Sequence, residues 1–175
     1  MSFNDGNSFI KNSFYHEKQR KQLCLLHSLN NLFQKEKFNK HDLDKICEEL
    51  DRSTWFNSHR SWLGLGDYDA NVLMAALDKE GYTCTWFDSR LTASSINHNE
   101  VFGYIFNVPS ESFFPFMKKR HWFCVIRTEK NYFYNLDSKL LSPSKISNFE
   151  EFTDTLLAQG NTLILIKFPN TNEVK

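Results

Sequence analysis

Residues 15–31, with the sequence YHEKQRKQLCLLHSLNN, change character at Leu23. The residues before it are polar. After it begins a leucine stripe with the spacing of one face of an α-helix, at Leu25, Leu29 and Leu32. This spacing predicts a helix that begins at or near Cys24. The partial positive charge at a helix N-terminus favours a thiolate and can lower the pKa of a thiol below its usual value of about 8.5. Cys24 is therefore a candidate nucleophile.

The side chains around Cys24 suggest two supporting roles. Cys24 shares a polar face of the predicted helix with His27, Ser28 and Asn31, and this position at the helix start places the thiol where substrate can reach it. His27 is carried by the same helix as Cys24, which leaves no cleft between them, so we interpret it as a supporting residue. Gln19 could donate its amide to an oxyanion beside the Cys24 N–H. The alternatives are a core cysteine, the commoner role of a lone thiol, and a surface glutamine.

A second candidate region follows the basic residues 118–120. The segment from His121 to Arg127 predicts a strand that opens on a histidine. An imidazole on a strand can face a thiol on a helix across a cleft, as in papain-like enzymes. The next predicted strand leads to Asp137, which could orient the imidazole and stabilise its charged form. The alternative for His121 is a packed or solvent-facing strand end. Of the other histidines, His41 and His98 have no companions in the sequence, and we expect them to be solvated.

The whole pattern places helices in the first half and strands in the second. Further helices are predicted for Asp42 to Leu50, from an Asp69 N-cap to Gly81, and after a capping box from Ser147 to Glu150. Five segments have strand character: Tyr82 to Asp88, Val101 to Val108, Trp122 to Arg127, Tyr132 to Leu136, and Thr162 to Phe168. This order indicates an α+β fold, an antiparallel sheet packed on a helical layer. We expect one domain over residues 14–168, with residues 1–13 and 169–175 as flexible termini.

Composition excludes several classes of protein. The 175 residues hold 21 Lys plus Arg and 21 Asp plus Glu, and this balance argues against a nucleic-acid-binding protein. No apolar run approaches the roughly 20 residues of a membrane span. The N-terminus lacks a secretory signal, so we expect a reducing, cytoplasmic location with thiols rather than disulfides. The four cysteines form no C-x-x-C pair, which argues against zinc. Three of them are predicted core thiols: Cys47, Cys84 and Cys124.

Several motifs together resemble the Josephin domain. Y-H-E-K-Q-R-x-x-L-C-x-x-H-x-L-N-N begins at Tyr15, H-W-x-x-V at His121, and Y-N-L-D-S-K-L at Tyr134. The block H-R-S-W-L-G-L-G-D-Y-D-A-N-V-L-M-A-A-L from His59 is similar to the short stand-alone Josephin proteins rather than the long ataxin-type ones. The likeness covers residues 14–168. One spacing departs from the family, because Asp137 follows His121 by 16 residues, one more than in the short members.

The resemblance implies a papain-like cysteine protease fold and a deubiquitinase, which cleaves ubiquitin from lysine side chains and from ubiquitin chains. It implies Cys24 as nucleophile, His121 as general base and acid, Asp137 as orienting residue and Gln19 as oxyanion donor. It also implies no metal and no cofactor. We separately expect the protein to be a monomer. Ubiquitin is expected to dock around Ala70 and Asn71, with Trp122 in the channel for its tail. Trp62 could also wall this channel, whereas the strand alternation around Trp86 favours the core.

Two other functions fit parts of the sequence. A catalytically weak ubiquitin-binding module would keep the fold but lack one of the triad residues, and none is missing. A different Cys–His enzyme, such as an acyltransferase, would share the nucleophile and the base. Only the Josephin motifs argue against such a different Cys–His enzyme.

The connection between the last two candidate residues has a geometric requirement. Side chains on a strand alternate between faces, so the hairpin register decides whether His121 and Asp137 meet. A three-residue connection, Thr128 to Lys130, would pair Arg127 with Asn131 and place His121 across from Asp137. A five-residue connection or a bulge would give the same result. A two-residue turn would put Asp137 on the wrong face.

Overall fold

The structure, a computed structural model, describes residues 14–50, 68–110 and 119–169. Residues 1–13 and residues 170–175 of the predicted C-terminal tail 169–175 lie outside the described residues. So does the segment from His59 to Asp67, which contains Trp62 and which its two glycines predict to be a loop. The helices of the described residues are α1 (Cys24–Phe33), α2 (Lys40–Leu50), α3 (Ala70–Lys79) and α4 (Phe149–Ala158). The strands are β1 (Thr83–Trp86), β2 (Val101–Ser110), β3 (Lys119–Arg127), β4 (Phe133–Asn135), β5 (Ser144–Ile146) and β6 (Thr162–Lys167).

The strands form one antiparallel sheet in the order β1-β6-β2-β3-β4-β5. Alternate residues of the central strands β2, β3 and β6 enter two separate cores. In β2, Ile105 packs with α1, α2 and α3, whereas Tyr104 and Phe106 pack on the other face with Phe149 of α4. The predicted α+β class with a helical layer on an antiparallel sheet is confirmed. In the part of the chain that the structure describes, no helix has the length and apolar character to cross a bilayer.

Local capping explains where the helices begin. The Asp69 carboxylate accepts the N–H groups of Asn71 and Val72, so the predicted N-cap of α3 is confirmed. The cap predicted for α4 is wrong by one residue, since Asn148 rather than Ser147 accepts the Glu151 N–H at 3.2 Å. The Asn148 amide also donates to the Glu151 carboxylate, which makes this residue pair the capping unit.

Two predicted environments are wrong. Trp86 is not a core residue but is 51% exposed, because its strand β1 lies at the edge of the sheet and has a neighbouring strand, β6, on one side only. His98 is not solvated, since its Nδ1 lies 2.6 Å from the Tyr104 hydroxyl and its ring packs against Phe133 and Phe149. Burial, followed by the charge of Arg127, lowers the pKa of His98.

The contact between α1 and the sheet depends on a glycine. A Cβ at Gly103 of β2 would lie 2.2 Å from Cδ1 of Leu32, which is 2% exposed. Real Cβ atoms do not approach a carbon so closely, so a side chain here would push α1 away from the sheet. Gly103 therefore lets the helix that carries Cys24 lie close to the strands.

We expect Gly103→Ala to lower the free energy of unfolding by about 1–3 kcal/mol, because the added methyl overpacks the core. Leu32→Ala alone should cost about 2–5 kcal/mol by leaving a cavity. The double variant should cost less than the two single costs together, because each change relieves the other. Denaturant unfolding of the three variants measures this coupling, and strictly additive costs would contradict it.

Candidate active site

The first turn of α1 carries the candidate nucleophile. α1 begins at Cys24, and the N-cap residue Leu23 supplies no side-chain hydrogen bond. The first turn holds no acidic residue. The N–H groups of a first turn lack acceptors within the helix and give its N-terminus a partial positive charge. This environment favours a thiolate at Cys24 and negative charge on an atom bonded to it.

The polar face of α1 is covered by other parts of the chain. The residues from Cys24 to Leu32 are all buried, and of the polar face only Cys24 lines the groove described below. The polar side chains of this face instead bind other parts of the chain. The Ser28 hydroxyl lies 2.8 Å from the carbonyl oxygens of both Cys24 and Trp122. This shared contact places the first turn of α1 beside the residue that follows His121.

His121 and Asp137 are in direct contact. Nε2 of His121 lies 2.7 Å from Oδ1 of Asp137, and the His121 side chain is 3% exposed. An ionised carboxylate can only accept hydrogen bonds, so Nε2 carries the proton in this pair. In the neutral ring, Nδ1 is then unprotonated and can accept a proton from a thiol. His121 lies two residues inside β3 rather than at its start, because β3 begins at Lys119.

The hairpin has one of the odd-length connections that were predicted to bring His121 and Asp137 together. Arg127 pairs with Phe133, so the connection is the five residues 128–132. Asn131 has a φ of 60°, and the Thr128 N–H donates to the Tyr132 carbonyl. The odd length keeps Asp137 on the His121 face, but this register would place it opposite Phe123. β4 ends at Asn135, and the chain beyond it brings the carboxylate to His121.

Further groups fix Asp137, and the sequence analysis missed them. The Asn135 side chain accepts the Asp137 N–H at 2.9 Å. The Lys139 N–H donates to the same Asp137 oxygen that His121 contacts. Nε2 of His16 lies 3.0 Å from the Asp137 carbonyl. The Asn-x-Asp spacing is a known signal for a side chain that bonds the backbone two residues on, and it could have identified Asn135.

Gln19 lies next to this turn. Its N–H donates to the carbonyl of Ser138 at 2.8 Å. Its side-chain Nε2 donates one hydrogen to the Lys21 carbonyl at 3.0 Å. An amide nitrogen has two hydrogens, so this bond sets the orientation of the side chain and leaves the second hydrogen for another acceptor. The oxyanion role of Gln19 stays a prediction.

Cys24 opens onto a groove of about 560 Å³. Four neighbouring strands line one side of it through Trp86, Thr162, Asn107 and Trp122. Residues 68–70 line it as well, so Cys24, Ala70 and Trp122 share this groove. Trp122 is 6% exposed, and its indole N–H donates to the Tyr68 carbonyl at 3.1 Å. Asn71 is exposed and lines a different depression on the other side of α3.

The groove carries positive charge beside His121. Lys119 and Arg120 both line it. The Arg120 guanidinium donates to the side-chain and main-chain oxygens of Asn107, which hold it against the sheet. These cations lie within the groove that also contains Cys24, so they favour negative charge there.

The other thiols have less reactive surroundings. Burial, followed by the charge of Asp78, raises the pKa of Cys84 to about 11. Burial also raises the pKa of Cys124, which has no exposed surface. Cys47 is fully buried on α2. Cys47 and Cys124 are core thiols as predicted, whereas Cys84 is only half-buried at the sheet edge.

The arrangement has the parts needed for nucleophilic acyl transfer. It combines a thiol at a helix N-terminus, an imidazole with an orienting carboxylate, and amide donors beside them. The described residues contain no group of three or more His, Cys, Asp or Glu side chains that could hold a metal ion. The individual roles of Cys24, His121, Asp137 and Gln19 stay predictions.

Comparison with known proteins adds an independent finding. A family model described as Josephin matches residues 19–167. A Josephin-like protein of Drosophila melanogaster is 40% identical over 158 residues, which are 87% of this chain and 71% of the relative. Human Josephin-2 is 38% identical over 159 residues, with 87% and 84% covered. Human ataxin-3 is 28% identical over 169 residues, and this chain spans 45% of its length.

We expect a small alkylating reagent to modify Cys24 first in the native protein at neutral pH. With a pKa of about 11, Cys84 has a thiolate fraction on the order of one in a thousand at pH 8, and its labelling should rise as the pH approaches 11. Peptide mass mapping over a pH series measures both rates. Labelling of Cys84 ahead of Cys24 at pH 8 would contradict the prediction.

Proposed function

Because the chain belongs to the Josephin family, we propose that it is a thiol-dependent deubiquitinase that hydrolyses isopeptide bonds at the ubiquitin C-terminus. The observation that carries this proposal is the contact between His121 and Asp137 beside the turn of helix that holds Cys24. The proposed nucleophile, base and orienting acid come from three separate segments of the chain: the start of α1, β3, and the turn after β4. We propose that the enzyme acts in the reducing cytoplasm, where Cys24 stays a thiol.

The first half of the proposed reaction forms a thioester. Nδ1 of His121 accepts the Cys24 proton, and the sulfur attacks the carbonyl carbon of the C-terminal glycine of ubiquitin. The imidazolium that forms is stabilised by the Asp137 carboxylate at Nε2. Collapse of the tetrahedral intermediate breaks the C–N bond, and His121 returns the proton to the departing lysine amine. Water, activated by the same imidazole, then hydrolyses the thioester.

The oxyanion of each intermediate needs hydrogen-bond donors. The Cys24 N–H lies at the helix start, and the second Nε2 hydrogen of Gln19 would supply another. Gln19 is suited to this role because its own N–H is bonded to Ser138, the residue after Asp137. This main-chain hydrogen bond therefore links Gln19, the proposed oxyanion donor, to the residue that follows Asp137, the proposed orienting acid.

The groove at Cys24 would hold the extended tail of ubiquitin. Trp122 is one wall, and the exposed Trp86 lies at the edge of the sheet. We propose that the body of ubiquitin rests at the start of α3, on Ala70 and the exposed Asn71. Ala70 lines the groove and its neighbour Asn71 lines the separate depression, so a protein bound at the start of α3 could contact both residues.

The decisive experiment uses ubiquitin that carries a C-terminal electrophile, followed by hydrolysis of a ubiquitin-linked lysine substrate. We expect the native protein to form a covalent adduct at Cys24 and to release lysine. Cys24→Ser should do neither, whereas Cys84→Ser, the matched control, should do both. Ubiquitin binding without adduct or turnover would replace the proposal with a ubiquitin-binding module. An adduct on another cysteine would remove Cys24 as nucleophile.

Two further variants separate chemistry from binding. Gln19→Ala should lower kcat on the order of 10²-fold with little change in KM, because an oxyanion donor acts mainly in the transition state. Asn71→Arg should raise KM and leave kcat near the native value, because it obstructs docking away from the reacting atoms. Steady-state kinetics measure the split. Full kcat in the first variant, or an unchanged KM in the second, would remove that residue from its role.

A further inference from the structure

The segment that carries Gln19 has no regular secondary structure, and side chains of α1 hold it in place. This strap, residues 15–20, runs alongside α1 before the chain enters the helix. Its main chain is bonded at several points, and three of its N–H groups at or near Gln19 matter for the position of that residue. The Glu17 N–H donates to Oδ1 of Asn31 at 2.6 Å, the Arg20 N–H to Nε2 of His27 at 3.2 Å, and the Gln19 N–H to the Ser138 carbonyl at 2.8 Å.

The Glu17 carboxylate connects these bonds. It accepts hydrogen bonds from Nδ1 of His27 at 2.6 Å, from the Asn30 amide at 3.0 Å and from the Tyr15 hydroxyl at 2.5 Å. The Glu17 side chain is 19% exposed and the His27 side chain 9%. Burial, followed by the hydrogen bond to Glu17, raises the pKa of Tyr15 to about 12, so this hydroxyl stays a donor.

The carboxylate also decides which nitrogen of His27 carries the proton. Nδ1 must donate to an ionised carboxylate, so in the neutral ring Nε2 is the acceptor. That acceptor is what the Arg20 N–H requires. Without the carboxylate, either nitrogen could carry the proton, and a proton on Nε2 would leave the Arg20 N–H facing another donor. Glu17 thus acts on Arg20 through His27.

We propose that Glu17 is a positioning residue that fixes the strap so that the Gln19 amide is held at the oxyanion. Two consecutive main-chain N–H groups hold this part of the strap: that of Gln19 donates to Ser138, and that of Arg20 donates to His27. The first ties the strap to the turn of Asp137, and the second ties it to the helix of Cys24. Loss of the second removes the bond to α1 at the residue next to Gln19, so the nearest remaining main-chain N–H bond to α1 is that of Glu17 to Asn31, two residues before Gln19. This inference rests on the proposed deubiquitinase activity.

The test is Glu17→Gln, with Glu36→Gln as the matched control on an exposed surface. We expect kcat to fall about tenfold to hundredfold in Glu17→Gln with KM unchanged, because small displacements of a catalytic donor cost that much. Glu36→Gln should keep native kinetics. In a Gln19→Ala background, Glu17→Gln should cost little more, because it acts through Gln19.

A second variant covers the case in which Glu17→Gln does not fold. His27→Asn keeps a donor near Glu17 but removes the acceptor of the Arg20 N–H, and it should lower kcat in the same way. Native kcat per folded molecule in whichever variant folds would overturn the proposal and leave Glu17 with a structural role. Equal losses with and without Gln19 would also overturn it.

Amide hydrogen exchange separates this inference from the proposed function. The Gln19 and Arg20 amides should exchange faster in Glu17→Gln than in Glu36→Gln, whether or not the native protein hydrolyses ubiquitin conjugates. An inactive native protein with this exchange difference would reject the deubiquitinase and retain Glu17 as the residue that orders the strap. Unchanged exchange would reject the positioning role itself.

Discussion

Burial of α1 is the constraint on which the rest of the structure depends. All of its residues from Cys24 to Leu32 are buried, although four of them carry polar side chains other than the thiol. A buried polar group without a partner costs on the order of 1–3 kcal/mol, so each must find one. Their partners come from distant segments, including the carbonyls of Trp122 and Leu136 and the strap at Glu17. The same bonds that satisfy the helix therefore assemble the site around its first turn.

The hydrogen bonds from α1 also reduce the dependence of the site on the hairpin register. If the pairing between β3 and β4 continued, Asp137 would lie opposite Phe123, which is two residues after His121 in β3. Beyond β4, Asn31 holds the Leu136 carbonyl, and Asn135 and His16 hold the Asp137 main chain. The carboxylate reaches the imidazole because these groups fix the chain after it has left the sheet. A 16-residue spacing is compatible with the contact for this reason.

The two faces of the sheet differ in what packs against them. One face carries α1 to α3 and, at its end, the groove that opens at Cys24. The other is an aromatic core in which Phe133 stacks on Phe149 of α4 with ring centroids 4.1 Å apart. His98 belongs to this second core, where it contacts the Tyr104 hydroxyl. Packing of α4 against this face supports β3 and β4, and the groove at Cys24 lies on the opposite face of the sheet.

The sequence by itself determined the features that depend on neighbouring residues. The leucine spacing located α1, the Asp69 cap located α3, and the alternation of aromatic and β-branched residues located most of the strands. The motifs around Cys24, His121 and Asp137 indicated the family that the comparisons then found. Each of these signals lies within a few residues of the feature that it predicts.

Tertiary structure alone decided which polar residues face solvent and which are buried. His27, Ser28 and Asn31 resemble a solvent-facing stripe in the sequence, but the strap and the strands cover them. Trp86 resembles a core residue, but its strand lies at the sheet edge. Register, burial and hydrogen-bond partners depend on residues as far apart as Asn31 and Leu136, and no local pattern records that distance.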